Sequence, residues 1–294
     1  MTATDTLLLP RTRSSPGRER EAVEPLELVD PRPATRGRHS IGLPRGARRT
    51  IGPIVLIAVW QLVCAANVVD KITLASPTDV VHAGQQLAAT GELQSNLWVS
   101  MQRVGVGLAL GASIGLCLAL VAGLSRLGED LVDPTVQIVR AVPILGLVPL
   151  TLIWFGVGEA PKIFLIALGS AFPVYLNTFA AIRAVDTRLV EAGATFGLGR
   201  AGTIGRVLLP GAVPGFLVGL RFALVGSWLI IIIAEQINAT SGLGYLINAA
   251  QTWGRTDIIL LGLAIYGLLG ITADGIIRLL ERRLLTWRPG FTGR

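Results

Sequence analysis

The stretch with the most telling spacing is AVDTRLVEAGATFGLGRAGTIGRVLLPGAVPGFLVGLR, residues 184–221. Asp186 can cap a short helix, Leu189, Gly193 and Phe196 recur on one face, and Gly197 can take the left-handed position past its end. Ala192, Gly193 and Ala194 make one side slim. Glu191, near the N-terminal half, can meet both the local helix dipole and a basic group outside the chain. A second short helix then leads to Leu209-Pro210. A slim, capped helix of this kind suits the groove of another protein. An ordinary amphipathic loop helix would read the same way.

Other chemistries find no footing. Cys64 and Cys117 lie in apolar runs, which leaves no disulfide framework, and His39 and His82 have no Cys or His neighbour at metal-ligand spacing. The two lysines, Lys71 and Lys162, follow Asp70 and Pro161, so no Gly-Lys-Ser/Thr phosphate loop exists. No catalytic set and no metal site is expected, and no cofactor in this chain. Arg140 and Arg221 lie within apolar stretches, roughly 10–14 Å from one membrane face at 1.5 Å per residue. An arginine there must face the bundle interior or snorkel. It can attract an anion, close a gate or hold helix carbonyls. Asp274 is its simplest partner. Pro143, Pro149, Pro173 and Pro214 interrupt apolar segments, and kinked helices of that kind can line a pathway or merely shape packing.

The elements that must position these residues follow from composition. The chain has 294 residues, 51% hydrophobic and 15% charged, against roughly 25% charge in a soluble domain. With a mean hydropathy of +0.61, it reads as an all-α integral membrane protein. Six spans are expected: 50–69, 104–124, 141–158 reaching back towards 131, 163–182, 207–234 starting near Pro214, and 258–280. With the N-terminus inside, twenty Lys and Arg flank the inner side and three (Lys71, Lys162, Arg255) the outer, which places both termini in the cytoplasm. The net charge of +7 thus fits lipid headgroups, and no nucleic-acid partner is expected.

Residues 1–49 read as a disordered cytoplasmic tail without a secretory signal, 50–285 as the membrane domain with its loop at 185–210, and 286–294 as a cytoplasmic tail. Ser76-Pro77-Thr78-Asp79 predicts a capped amphipathic helix in the outer segment 70–96. Gly107, Gly111 and Gly115 form a small-residue ridge that lets another helix approach closely.

Glu191-Ala192-Gly193, three residues, Gly197, nine residues, then Val207-Leu208-Leu209-Pro210 resembles the cytoplasmic loop signature of ABC-importer permeases, departing only at Gly193 for Ala and Val207 for Ile. The segment 74–81, the Pro-rich run from Arg140 to Trp154-Phe155-Gly156, and Gly219-Leu220-Arg221 followed by Trp228 resemble the branch importing sulfonates, taurine or nitrate. The resemblance covers about 50–285. It implies a type I permease acting as a homodimer of twelve spans in a bacterial-type inner membrane. It further implies two ATP-binding subunits carrying ATP and Mg, and an extracytoplasmic solute-binding protein.

In that picture Glu191, Ala192, Gly193, Gly197, Leu209 and Pro210 couple to the ATPase, and Arg140, Pro143, Pro149, Arg221 and Trp228 line the pathway. An aliphatic sulfonate is the first expectation; a thiamine-precursor pyrimidine is an alternative solute. Two rival classes stand beside it. A secondary transporter would need membrane-embedded acids that the uncharged runs lack, and a membrane enzyme would need a convergent catalytic set, whereas both histidines fall outside the spans.

Overall fold

The computed structural model describes residues 45–66, 68–70 and 72–286, and these are helical or irregular with no strand among them. The helical bundle lies in one compact unit, residues 49–294. The expected tails lie outside the described residues as far as 44 and from 287 onward.

The first helix, α1, runs Arg45–Ala65, so it starts ahead of the expected boundary at 50. Trp60 donates from Nε1 to the Ala75 carbonyl at 3.1 Å, tying α1 to the chain before α2 (Pro77–Ala89). That helix opens as the sequence predicts. Ser76 Oγ accepts from the Asp79 amide and Asp79 Oδ2 accepts from the Ser76 amide, both at 3.2 Å.

The core is a three-helix stack in which α6 (Ala160–Arg183) lies between α3 (Glu92–Leu124) and α9 (Leu209–Asn238). Glycine ridges grip it from both sides. On α3, a Cβ at Gly107 would stand 2.6 Å from Ile166 Cβ, and one at Gly111 would overlap the Ala167 carbonyl and Ser170 Oγ. On α9, a Cβ at Gly215 would stand 2.5 Å from the Asn177 carbonyl and one at Gly219 2.7 Å from that of Pro173. The first ridge is read directly from the sequence; the second, Gly211-Gly215-Gly219, emerges only in the structure. Lipid supplies no hydrophobic drive between helices, so this close backbone contact is what holds the stack together.

The third expected span is corrected. Instead of one helix there are α4 (Arg126–Arg140) and, after a break, a 3-10 turn at Ile144–Leu147 leading into α5 (Val148–Phe155). The two halves are bent by 79°. Pro143 at the break has no amide to donate and pushes Val142 away from helical geometry.

The 185–210 loop holds α7 (Thr187–Thr195) and α8 (Arg200–Thr203). A π turn at Ile204–Leu208 joins α8 to α9, so the fifth span does not start near Pro214. Pro210 offers no amide to the ladder, and the wide turn ends two residues before it. Beyond α9 come α10 (Leu243–Thr252) and α11 (Thr256–Leu284).

Among the described residues, four helical runs are long and apolar enough to cross a membrane: α3, α6, α8 through α9, and α11. The bent α4–α5 pair makes a fifth if counted as one span, and the apolar part of α1, Ile51–Ala65, is shorter.

Candidate functional site

Local hydrogen bonds define α7. Asp186 Oδ1 accepts from the Arg188 amide at 2.9 Å and caps its start. At its other end Gly197 adopts φ +77°, with its amide on the Ala194 carbonyl and the Leu198 amide on the Gly193 carbonyl, both at 3.0 Å. Leu198 folds back over Gly193, where a Cβ would lie 3.3 Å from Leu198 Cδ1 and 3.8 Å from Val207 Cγ2.

Gly193 therefore faces its own loop, while Leu189 (58%) and Phe196 (87%) stand exposed. The three do not share one presented face as their spacing suggests. The glycine lets the loop close tightly, and the outward surface is Leu189, Glu191, Ala192 and Phe196. Among the described residues Glu191 has no ion-pair partner. Leu209 and Pro210 open α9, and Pro210 lines a cavity of about 710 Å³ with Asp186, Leu189 and Glu281. An Arg183–Glu129 ion pair fastens the end of α6 to α4.

The residues assigned to a pathway are spread over the end of α4, the break and start of α5, and α9. Arg221 Nε meets Asp274 Oδ1 at 3.0 Å and its Nη2 meets Glu281 Oε2 at 3.3 Å, so the partner expected for it is found. Arg140 is the exposed last residue of α4, with no ion pair among the described residues. Pro143 and Pro149 flank the 3-10 turn at the break. Trp228 is buried edge-on to Tyr266, ring centroids 6.2 Å apart.

A buried charge network escapes the sequence reading entirely. Glu235, fully buried, accepts from Ser100 Oγ at 2.8 Å, Arg103 Nη1 at 2.7 Å and the Gly244 amide at 2.8 Å. Asn96 Oδ1 and Ser100 Oγ accept from the amides of Gly242 and Leu243 at 2.7 and 2.9 Å. Side chains of α3 and α9 thus satisfy the first amides of α10, groups that need partners when buried. Side chains are excluded at both glycines: a Cβ at Gly242 would overlap the Glu235 carboxylate, and one at Gly244 would stand 2.7 Å from Glu235 Cβ.

Arg103 also donates to the Ser241 carbonyl at 2.6 Å, and from Nε and Nη2 to both oxygens of Glu159 at 2.5 and 2.6 Å. Lys162 Nζ donates to the Gly158 carbonyl at 2.8 Å and Glu159 Oε1 at 3.3 Å. The Arg103 guanidinium holds the Glu159 carboxyl below the usual carboxylate range, against the opposing pull of burial.

Arg103 immediately precedes the uncharged run starting at 104, and Glu235 immediately follows the one ending at 234, so each reads as an ordinary span end. The available signal was opposite charges closing two long apolar runs, followed by Ser241-Gly242-Leu243-Gly244. The network sits at the N-terminal end of α6 and α7 follows its C-terminal end, about 36 Å away at 1.5 Å per residue.

Residues 111–286 match the family model described as binding-protein-dependent transport system inner membrane component. A protein of Escherichia coli (strain K12) named as an aliphatic sulfonates transport permease is 45% identical over 239 residues, 81% of this chain and 91% of that protein. A protein of Bacillus subtilis (strain 168) with the same name is 40% identical over 241 residues, 82% of this chain and 87% of that one. In fold, the chain resembles the crystal structure of an amino acid ABC transporter, with a TM-score of 0.57 at 22% identity, over 68% of this chain and 97% of the other.

Proposed function

The chain belongs to the family of binding-protein-dependent transport system inner membrane components, and we propose accordingly that it is the permease of an ATP-driven importer whose substrate is an aliphatic sulfonate. The observation that carries the substrate is the 40–45% identity, over four-fifths of the chain, to two proteins named for that transport. Two copies form the pathway, each contributing six spans when α1 and the bent α4–α5 pair are counted. The twenty-to-three division of flanking cations supports cytoplasmic termini, and Arg103 raises the outer number only to four. ATP and Mg are held by two separate subunits, and an extracytoplasmic protein delivers the solute.

The coupling element is α7. Its closed C-terminal turn and exposed Leu189, Glu191 and Phe196 support insertion into a groove of the ATP-binding subunit. α7 follows α6 directly and leads through α8 and the π turn into α9. α6 and α9 are locked to each other and to α3 by the glycine ridges, so a displacement of α7 moves the three as one body. The compliant part is the broken α4–α5 segment, α4 packing mainly on α3 and α5 on α6. Arg221, tied to Asp274 and Glu281, joins α9 to α11 at the cytoplasmic end.

Glu235 is an acid inside a span-forming helix, the feature a secondary transporter needs. Its oxygens already accept from a guanidinium, a hydroxyl and an amide, which supports a structural anchor over a coupling-ion site.

The test is ATPase activity of the reconstituted complex with its binding protein and a panel of alkanesulfonates, taurine, nitrate and a thiamine-precursor pyrimidine. Alkanesulfonates stimulate hydrolysis most. Stimulation confined to a neutral or cationic solute contradicts the reading.

A further inference from the structure

We propose that Arg103 and Lys162 form an oxyanion subsite at the outer end of the bundle, occupied in this structure by the protein's own Glu159 carboxylate, which an incoming sulfonate displaces. The proposal rests on the importer reading above and adds a place where the substrate's charge is met.

Its basis is an asymmetry among four charged groups. Arg103, Lys162 and Glu235 are buried to 4%, 4% and 0% side-chain exposure, whereas Glu159 is 56% exposed. Glu235 is fixed by three donors, two from α3 and one from α10, and cannot leave without stranding them. Glu159 is held only by the two cations and precedes α6 on a short turn. In that turn Gly156 has φ +72° and Val157 is 84% exposed.

Charge balance agrees. Glu235 neutralises one of the two buried cations, leaving one unit of positive charge for Glu159 or for a monovalent anion in its place. The geometry left behind suits an oxyanion. Arg103 presents Nε and Nη2 as a fork to two oxygens, a pairing that serves carboxylate and sulfonate alike. Ser241 Oγ lies 3.3 Å from Nη2, within reach of a third oxygen. The N-terminus of α6 adds the positive end of its dipole. Arg221, by contrast, already has two carboxylates, and Arg140 is a lone exposed residue. An internal carboxylate at the subsite keeps it neutral between substrates and sets a threshold that stray anions must beat.

The experiment measures equilibrium binding of methanesulfonate to the purified full-length chain in phosphatidylcholine nanodiscs, with tetramethylammonium as the cation control. Glu159→Gln binds methanesulfonate about tenfold more tightly than wild type, because the competing charge is gone. Glu159→Ala gives the same gain, Lys162→Met added to either removes it, and tetramethylammonium shows no gain. No tightening in both Glu159 variants, or a gain that survives Lys162→Met, overturns the subsite. The two readings fail separately. A complex that imports a neutral solute while the methanesulfonate gain holds refutes the sulfonate importer and keeps the subsite; normal sulfonate uptake without the gain refutes the subsite alone.

Discussion

Leu198 donates its amide to the Gly193 carbonyl at 3.0 Å, and that bond closes the end of α7 through Gly197, whose backbone freedom no L-residue matches. It fixes the direction in which Leu189, Glu191 and Phe196 project, because the chain must reverse within two residues. Space is not the constraint at Gly197, where a Cβ would meet nothing within 4 Å; its φ of +77° is.

That separation gives the first prediction. Gly197→Val strains the turn by about 1–2 kcal/mol, whereas Gly197→Asn, which tolerates the left-handed region, costs much less. Amide hydrogen exchange at position 197 and at Leu198 checks it: protection falls in the valine variant and persists in the asparagine variant.

A second prediction concerns the stack. Gly111→Leu drives a side chain into the Ala167 carbonyl and costs about 3 kcal/mol or more, since neither backbone can yield. Gly105→Ala on the same helix meets nothing within 4 Å and is tolerated. Thermal unfolding of the purified chain separates them.

On α9, Arg221→Gln removes two ion pairs whose groups are about a third exposed, so stability falls by only about 1 kcal/mol. Substrate uptake by the assembled complex falls further, because α9 and α11 lose their link. The exchange Arg221→Asp with Asp274→Arg recovers part of it, which uptake assays on both variants would register.

The Glu159 carboxyl is held low by the hydrogen bond from Arg103, with Lys162 as its second cation. A group whose folded value is depressed contributes stability above its usual value, here near 4.5, and loses it as pH falls through the lower folded value. The wild-type unfolding temperature therefore drops more steeply below about pH 4.5 than that of Glu159→Gln. Parallel curves for the two proteins would contradict the pairing.

Legibility followed range along the chain. The Ser76 capping box, the Asp186 cap, Gly197 and the Gly107-Gly111-Gly115 ridge each depend on residues within one or two turns, so spacing alone revealed them. Arg221 with Asp274 could be matched because both stood out as charges in apolar surroundings. Pro143 signalled a disturbance in the third span, yet one proline does not state a 79° bend. Arg103 and Glu235 lie 132 positions apart, and only the packing of α3 against α9 makes them partners. The inward turn of Gly193 was hidden because it depends on Leu198 folding back.

If α7 transmits the work of a separate ATPase to the spans, altering its outward acid or its closing turn must disturb either docking or transport. Copurification of the ATP-binding subunit, scored with substrate uptake, decides this for wild type, Glu191→Ala and Gly197→Val. All three insert into the membrane equally. Both variants then hold less ATPase, or hydrolyse ATP without matching uptake. Normal copurification together with normal uptake in both variants would contradict the role assigned to α7.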